Sequence, residues 1–315
     1  MINLIHKLKK KRVWLITGVA GFIGSNTANF LLKNKQIVIG IDKLKSKNIN
    51  GLKKYKNFHF QKINLLKKIT LIKKIDFCIH LAALNSVPRS FDYPEEVSKN
   101  NILSFLNIIL LCDKLKIKKI IYASSSSVYG NSDKKIKKEN QKTNPISPYA
   151  VSKVTNEQHA KIYSNKKMKI IGLRFFNIYG HNQKKDKRYS AVIPSWLISI
   201  KKKNKINVFG GSLREFCYID DAVHAILLSA FCKIKNNNEI FNISGGKKIN
   251  IRALAIKFKK IFGNKNTKII RKKSREGDVK IALASLSKIK KYTSFKPSTS
   301  IDKGLEKIKS HISFR

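Results

Sequence analysis

Residues 13–24 read V-W-L-I-T-G-V-A-G-F-I-G. The first five form an apolar, β-branched run that is typical of a buried strand in a parallel sheet. Gly18, Gly21 and Gly24 follow at G-x-x-G-x-x-G spacing, and residues 25–32 continue as an apolar helical pattern. Such glycines allow a tight strand-to-helix turn, close approach of the backbone to a pyrophosphate, and packing of helix on strand. The stretch predicts a dinucleotide site at a helix N-terminus, and an ordinary tight βα turn is the alternative.

A second apolar run, residues 37–41, ends in Asp42, which lies 18 residues after Gly24. A carboxylate at the tip of the second strand binds the 2′-hydroxyl of a ribose in sites of this kind. Asp42 therefore favours NAD over NADP as the dinucleotide.

The 315 residues carry a formal net charge of +49, which raises the question of nucleic-acid or anionic-membrane binding. Only nine of the 67 basic residues are arginines, and the lysines are scattered along the whole chain rather than grouped. Isoleucine and asparagine are also frequent, and the codons of all three residue types are A/T-rich. We interpret the lysines as a solvated surface that reflects coding bias, and we predict no nucleic-acid and no membrane partner.

The composition, with 42% hydrophobic and 9% aromatic residues, is that of a globular protein of one large or two closely joined domains. The four cysteines are far apart and form no C-x-x-C pair, so reduced core thiols are expected, with no disulfide framework and no metal site. The N-terminal segment is too charged for a signal peptide, and no apolar stretch is long enough to span a membrane. We expect a cytoplasmic protein.

Strand and helix patterns alternate through the first half of the chain. This alternation predicts an α/β fold, a Rossmann-type doubly wound parallel sheet. Further strands are predicted at 58–63, 75–81, 120–123 and 169–175, and helices at 101–115 and after Tyr149. From residue 177 the pattern loosens into short strands (206–209, 240–243) and helices (221–232, 251–262). We expect residues 1–176 to form the nucleotide-binding domain. Residues 177–315 should form mainly a smaller substrate-binding lobe, with some segments returning to the first domain.

Tyr149 and Lys153 are one helical turn apart, so the phenol and the ammonium share a helix face. Tyrosine is a poor base at neutral pH, but a nearby ammonium and the positive nicotinamide of NAD⁺ favour the phenolate. Ser125 ends a predicted strand that points into the same cleft. A Y-x-x-x-K pair alone arises by chance in a lysine-rich chain, and its position after a serine-tipped strand is what makes it a candidate for proton transfer.

The chain resembles the extended short-chain dehydrogenase/reductases, within them the NAD-dependent nucleotide-sugar epimerases and dehydratases. The resemblance spans nearly the whole sequence. It rests on T-G-V-A-G-F-I-G at 17–24, H-L-A-A at 80–83, Y-A-S-S-S-S-V-Y-G at 122–130, P-Y-A-V-S-K at 148–153, L-R-F-F-N-I-Y-G at 173–180, Y-S-A-V-I-P at 189–194, R-E-F-C-Y-I-D-D at 214–221 and R-E-G-D-V at 275–279.

The resemblance implies that Tyr149 is the general base on the sugar 4-hydroxyl, that Lys153 holds the nicotinamide ribose and that Ser125 assists proton transfer. Hydride would pass from C4 to NAD⁺ and return to the other face of a 4-keto sugar. The implied NAD contacts are Gly18, Gly21, Phe22, Ile23, Gly24, Asp42, Asn64 (where the family usually has aspartate), Leu65, Leu81, Ala82, Ala83, Tyr149 and Lys153. The implied UDP-sugar contacts are Ser86, Ser125, Ser126, Tyr149, Asn177, Val192, Arg214, Arg275, Asp278 and Ala282.

Within this branch, Ser126 and Ser127 stand where dehydratases carry an Asp-Glu pair, which favours epimerisation. The S-V-P-R-S run at 86–90 resembles bacterial UDP-N-acetylglucosamine 4-epimerases of surface polysaccharide synthesis. Ala282 stands where epimerases confined to UDP-glucose and UDP-galactose have a tyrosine. An open pocket there would accept a 2-acetamido group, although Ala282 could instead be a small packing residue.

The leading hypothesis is therefore a UDP-N-acetylhexosamine 4-epimerase. A UDP-glucose/UDP-galactose or UDP-glucuronate 4-epimerase is the nearest alternative, and a non-catalytic sugar-nucleotide-binding relative or a polyanion-binding protein represents a different class. The family resemblance also implies a homodimer, formed through the helices that contain Asn101 and Tyr149.

Overall fold

The computed structural model describes residues 2–44, 46–67, 69–71, 74–132, 134–183, 191–273 and 281–313. Within them, seven parallel strands form a central sheet in the order β3-β2-β1-β4-β5-β7-β12. These strands are β1 Val13–Thr17, β2 Ile37–Asp42, β3 Phe58–Lys62, β4 Phe77–His80, β5 Lys119–Ser125, β7 Lys169–Phe175 and β12 Asn238–Ile243.

Helices cover both faces of this sheet, and alternate residues of each strand belong to different cores. Trp14 and Ile16 pack in one hydrophobic cluster with helices α2 (Phe22–Lys33) and α8 (Ile219–Phe231). Leu15 packs in a second cluster with α5 (Pro94–Lys114) and α6 (Pro148–Tyr163). Burial on both faces explains why the strands read as continuous apolar runs. The helices of the first half are α1 Ile2–Lys7, α2 Phe22–Lys33, α3 Lys47–Leu52, α4 Val87–Asp92, α5 Pro94–Lys114 and α6 Pro148–Tyr163.

A smaller set of sheets lies in the second half of the chain. A four-stranded sheet has the order β13-β10-β15-β6, and two strand pairs are β8 with β11 and β9 with β14. The strands are β6 Ile136–Lys137, β8 Ile178–Tyr179, β9 Lys205–Phe209, β10 Leu213–Glu215, β11 Cys217–Tyr218, β13 Lys248–Asn250, β14 Lys268–Lys272 and β15 Ile281–Ala284. The helices are α7 Val192–Lys203, α8 Ile219–Phe231, α9 Ile251–Phe262, α10 Ser287–Thr293 and α11 Ile301–Ser313.

The predicted doubly wound parallel α/β sheet is confirmed, with differences at the element ends. β5 extends to Ser125, two residues beyond its predicted end, and α5 begins at Pro94, seven residues earlier than predicted. The strand predicted at 240–243 is β12, which pairs with β7 from Asn238 to Ile243 and so joins the central sheet. Residues 177–315 therefore contribute an edge strand to the sheet formed by the first half of the chain.

In the described part of the chain, each helix is too short or too polar to cross a membrane. Cys78, Cys112, Cys217 and Cys232 are all buried free thiols. No group of three or more His, Cys, Asp or Glu side chains among the described residues is arranged to hold a metal ion.

Candidate active site

The glycine turn between β1 and α2 packs closely on the neighbouring chain segment and starts a helix whose N-cap residue provides no side-chain cap. Gly18 has φ of +69°, and a Cβ atom added there would lie 2.6 Å from the backbone nitrogen of Ala82. Gly21 occupies the N-cap position of α2, and no side chain accepts a hydrogen bond from the first N–H groups of the helix. Those N–H groups and the positive end of the helix dipole suit the pyrophosphate of a dinucleotide. Phe22 and Ile23 form the first turn.

Asp42 at the end of β2 is fixed beside this turn. One carboxylate oxygen accepts a hydrogen bond from Ala20 N and the other from Leu44 N, each at 3.0 Å. The carboxylate keeps further lone pairs, so it can also accept from a ribose hydroxyl. After β3, Asn64 is exposed and its Oδ1 accepts from Leu66 N at 3.1 Å, while Leu65 is buried.

The H-L-A-A segment meets the glycine turn from the neighbouring strand β4. Leu81 N donates to Thr17 O at 3.1 Å, and Ala82 N donates to Thr17 Oγ1 at 3.5 Å. Leu81, Ala82 and Ala83 are partly exposed, and they line the same carboxyl edge of the sheet as the glycine turn. The glycine turn, Asp42 and this segment together fit an NAD molecule laid across that edge.

Tyr149 and Lys153 lie on α6, which begins at Pro148 because Ser147 caps its N-terminus by accepting from Ala150 N at 3.2 Å. Tyr149 is 8% exposed and Lys153 is 2% exposed. Lys153 Nζ lies 5.8 Å from the centroid of the Tyr149 ring and donates to the carbonyl of Ala123 at 2.9 Å.

Burial dominates the electrostatics of this pair. It raises the pKa of Tyr149 to about 12, and a hydrogen bond with Ser125 opposes that rise. It lowers the pKa of Lys153 to about 8, and the Glu157 carboxylate opposes that fall. The sequence predicts a lowered pKa for Tyr149, whereas the protein groups alone raise that pKa. Positive charge therefore has to be held next to the phenol for it to act as a base.

Ser125 is the last residue of β5 and caps the short 3₁₀ helix Ser126–Tyr129. Its Oγ accepts from Ser127 N at 3.2 Å and from Ser127 Oγ at 2.9 Å. Ser126 is partly exposed next to it. Ser86, a predicted substrate contact, caps α4, where its Oγ accepts from Arg89 N at 3.3 Å.

The other predicted substrate contacts come from the second half of the chain. Asn177 follows β7 with φ of 40°, and its Nδ2 donates to the carbonyl of Glu215 at 2.7 Å. Arg214 pairs in register with Ala282, and its Nε donates to Ser212 Oγ at 2.9 Å. Val192 is the first residue of α7 and is partly exposed. Arg275 and Asp278 lie outside the described residues.

Ala282 is 7% exposed and belongs to a small hydrophobic cluster with Val128, Tyr129 and Phe176. Val128 and Tyr129 are in the 3₁₀ helix that follows Ser125. The structure therefore places Ala282 under the serine segment, where it packs against its neighbours.

Two buried carboxylates at the site are absent from the sequence predictions. Glu157 accepts from Arg174 Nε at 2.8 Å, from Arg174 Nη2 at 2.7 Å and from Ser124 Oγ at 2.6 Å. Glu215 accepts from Ser244 Oγ and from Ala284 N, which ties β10 to two other segments. The signal for Glu157 is its spacing, since it follows Lys153 by four residues on the same helix face.

The chain is similar in sequence to known proteins of one family. The model of the NAD dependent epimerase/dehydratase family matches residues 14–244. The UDP-glucuronate 4-epimerase of Thermodesulfobacterium geofontis is 33% identical over 310 residues, which cover 93% of this chain and 94% of that relative.

Solved structures of two epimerases resemble the whole chain. The UDP-N-acetylglucosamine 4-epimerase from Methanobrevibacter ruminantium, in complex with UDP-N-acetylmuramic acid, superimposes with a TM-score of 0.89 at 31% identity, covering 97% of this chain and 100% of that one. The UDP-glucuronic acid 4-epimerase from Bacillus cereus, in complex with UDP-glucuronic acid and NAD, gives a TM-score of 0.86 at 30% identity, covering 96% and 99%. Because the family model matches residues 14–244 and a relative at 33% identity aligns over 93% of its length, the chain belongs to the NAD dependent epimerase/dehydratase family.

Proposed function

We propose that this protein is an NAD-dependent 4-epimerase whose substrate is a UDP-N-acetylhexosamine, either UDP-GlcNAc/UDP-GalNAc or the corresponding uronic acid. The observation that carries the proposal is the meeting of Ser125, Tyr149 and Lys153 at the carboxyl edge of the sheet, next to the glycine turn. Relatives and solved structures that are UDP-sugar 4-epimerases support the reaction type.

NAD would be held by the glycine turn, Asp42 and the H-L-A-A segment, and when bound it supplies the acceptor and donor of hydride. Tyr149 would accept the proton of the sugar 4-hydroxyl. Because burial raises the pKa of this phenol to about 12 with Lys153 already in place, the positive nicotinamide of bound NAD⁺ would have to add to the Lys153 ammonium, 5.8 Å from the ring centroid, to favour the phenolate. Ser125 Oγ would share a hydrogen bond with the reacting oxygen and hold the sugar during the transfer.

Epimerisation is favoured over elimination by the residues of the serine segment. Positions 125–127 carry hydroxyl groups and no carboxylate that could act as a second acid or base. The Glu157 carboxylate nearby is bound on both oxygens by Arg174 and on one also by Ser124, so it is not available to the substrate.

The more specific part of the proposal is that the sugar carries an N-acetyl group. It rests on the resemblance, which places Ala282, beneath the serine segment, where epimerases confined to UDP-glucose and UDP-galactose have a tyrosine; the smaller side chain favours a bulkier sugar. The solved UDP-N-acetylglucosamine 4-epimerase at 31% identity supports this substrate class. The product would enter surface polysaccharide synthesis, a role that rests on the resemblance at residues 86–90.

UDP-glucuronate is a second candidate substrate. The observation that favours it is the similarity to two UDP-glucuronate 4-epimerases, at 33% and 30% identity, over more than nine tenths of the chain. The partly exposed Ser126 provides a hydroxyl from which a sugar carboxylate could accept a hydrogen bond.

We also propose a homodimer through α5 and α6. Their outer faces expose large apolar side chains, namely Leu103 (41%), Leu110 (49%), Val151 (48%) and Ile162 (75%). Residues 103 and 110 are two helical turns apart, so they form one stripe that a second copy could cover. Two helices from each copy would then pack as a four-helix bundle.

Proton NMR of the purified protein with catalytic NAD⁺ tests the reaction and the sugar together. UDP-GlcNAc, UDP-glucose and UDP-glucuronic acid are incubated in parallel, with a Tyr149→Phe variant as the inactive control. We expect the UDP-GalNAc anomeric signal to appear fastest. Preferred turnover of UDP-glucuronic acid would establish the second candidate substrate. Turnover of UDP-glucose alone would refute the argument that Ala282 makes room for an N-acetyl group. Full turnover by Tyr149→Phe would refute the mechanism.

A further inference from the structure

Glu157 lies next to Lys153 at the end of β5. Tyr149, Lys153 and Glu157 are four residues apart and occupy successive turns on one face of α6. Lys153 Nζ donates to the carbonyl of Ala123, and the Glu157 carboxylate accepts from the hydroxyl of Ser124. The ammonium and the carboxylate therefore contact consecutive residues of the strand that ends in Ser125.

Arg174 on β7 fixes the Glu157 carboxylate in one orientation. Its guanidinium donates through Nε and Nη2 to the two carboxylate oxygens, at 2.8 and 2.7 Å, and the two side chains are only 3% and 5% exposed. The guanidinium also lies 4.6 Å from the centroid of the Tyr129 ring. A bidentate pair of this kind has far less freedom than a surface ion pair.

Among the described residues, Glu157 is the anionic neighbour of Lys153, because the other titratable groups around Lys153 are neutral or cationic. His80 from β4 is neutral, since burial and the Lys153 charge lower its pKa to about 3. Burial keeps the Tyr149 phenol from α6 and the Tyr122 phenol from β5 neutral, because it raises the pKa of both. Arg174 from β7 is a cation and is paired with Glu157.

We propose that Glu157 is a positioning residue: its carboxylate, fixed by Arg174 and Ser124, keeps the buried Lys153 side chain a cation and holds it against the end of β5 beside Tyr149. The inference rests on the proposed function, which assigns Lys153 to the reaction. Burial lowers the pKa of Lys153 to about 8 even with the Glu157 charge acting against the fall. Without Glu157, Lys153 would lose its charge near neutral pH and Tyr149 would lose the cation beside it.

The titration of Lys153 can be measured directly by NMR in protein labelled with ¹³C at the lysine ε-carbons. The Lys153 signal is assigned as the one missing in Lys153→Met, and its shift is followed from about pH 6 to about pH 10. In Glu157→Gln we expect the midpoint to fall by about one pH unit, because the carboxylate is lost and the Arg174 cation is left unpaired. The alkaline limb of kcat should move by the same amount, with little change in KM.

Two further variants separate charge from structure. Glu157→Gln/Arg174→Gln removes both charges, so its midpoint should lie between those of the wild type and the single variant. It also leaves no unpaired buried charge and keeps the test available if the single variant does not fold. Ser124→Ala removes the hydrogen bond to Glu157 but no charge, and we expect the Lys153 midpoint to stay within about 0.3 pH units of the wild type.

An unchanged midpoint in both Glu157 variants would overturn the inference. An equal shift in Ser124→Ala would also overturn it, because the effect would then come from packing. If the midpoints follow the expected order but the wild type turns over no UDP-sugar, the coupling of Glu157 to Lys153 is supported and the proposed function fails. If the wild type turns over a UDP-sugar and the midpoints do not move, the proposed function is supported and the coupling of Glu157 to Lys153 fails.

Discussion

Thr17 Oγ1 and His80 Nδ1 lie 2.8 Å apart at the carboxyl ends of the paired strands β1 and β4. The glycine turn begins directly after Thr17, and the H-L-A-A segment begins at His80. Burial lowers the pKa of His80 to about 3, so the imidazole is neutral in the folded protein at physiological pH. One hydrogen bond between neutral side chains thus joins the two motifs that form the dinucleotide site.

The buried imidazole predicts a pH dependence of stability. Between pH 6.5, the ordinary pKa, and about 3, the unfolded chain binds a proton at His80 that the folded chain does not. Stability should therefore fall as the pH drops below about 6.5, by about 2 kcal/mol at about pH 5 from this group. Urea denaturation of His80→Gln should show a correspondingly smaller loss between about pH 7.5 and about pH 5. His59→Gln, at an exposed histidine, is the control, and equal pH slopes in all three proteins would contradict the assignment.

Substrate choice should respond to the side chain at position 282. In Ala282→Tyr, the phenol must occupy space beneath the serine segment, where Ala282 now contacts Val128, Tyr129 and Phe176. We expect kcat/KM to fall at least about tenfold more for UDP-GlcNAc than for UDP-glucose, since a blocked methyl-sized pocket is worth about 1–3 kcal/mol. The ratio of the two values is the measurement, because partial unfolding of the variant lowers both equally. An unchanged ratio would mean that Ala282 is a packing residue without influence on the sugar.

The proposed dimer can be tested on the exposed stripe of α5. Leu103→Glu/Leu110→Glu places two charges where a second copy would bury apolar side chains, so light scattering should give the mass of a monomer for this variant and of a dimer for the wild type. Leu44→Glu changes a leucine that is 57% exposed after β2 and should leave the dimer intact. A wild-type protein that is monomeric at about 10 µM, a concentration above the dissociation constants expected for dimers with large interfaces, would refute the proposal.

The sequence predicts the central sheet well because its strands are buried on both faces. Val13 to Thr17 and Lys169 to Phe175 have the predicted bounds, since continuous apolar runs mark such strands clearly. The short strands of the second half carry no comparable pattern. β10 and β15, for example, have three and four residues, and they are defined by their pairing through Arg214 and Ala282 rather than by composition.

In the candidate site, too, a pattern within one helix is predictable from the sequence, whereas a contact between distant elements is not. Tyr149 and Lys153 are recognisable because they are one turn apart in one helix. Glu157 and Arg174 belong to different elements, and their pairing depends on how α6 packs against β7, which no local pattern specifies. The pKa of Tyr149 could not be predicted for a similar reason, because its direction is set by burial and not by the neighbouring residue type.

The position of β12 has a consequence for how the protein is made. Until Asn238–Ile243 has left the ribosome, β7 is an uncovered edge with Ile170, Ile171 and Leu173 in its backbone ladder. Such an apolar edge is a template for pairing with other chains. A nascent chain that stalls or is cut after residue 176 would therefore expose an aggregation-prone strand, and quality control during synthesis depends on the last third of the chain arriving to close the sheet.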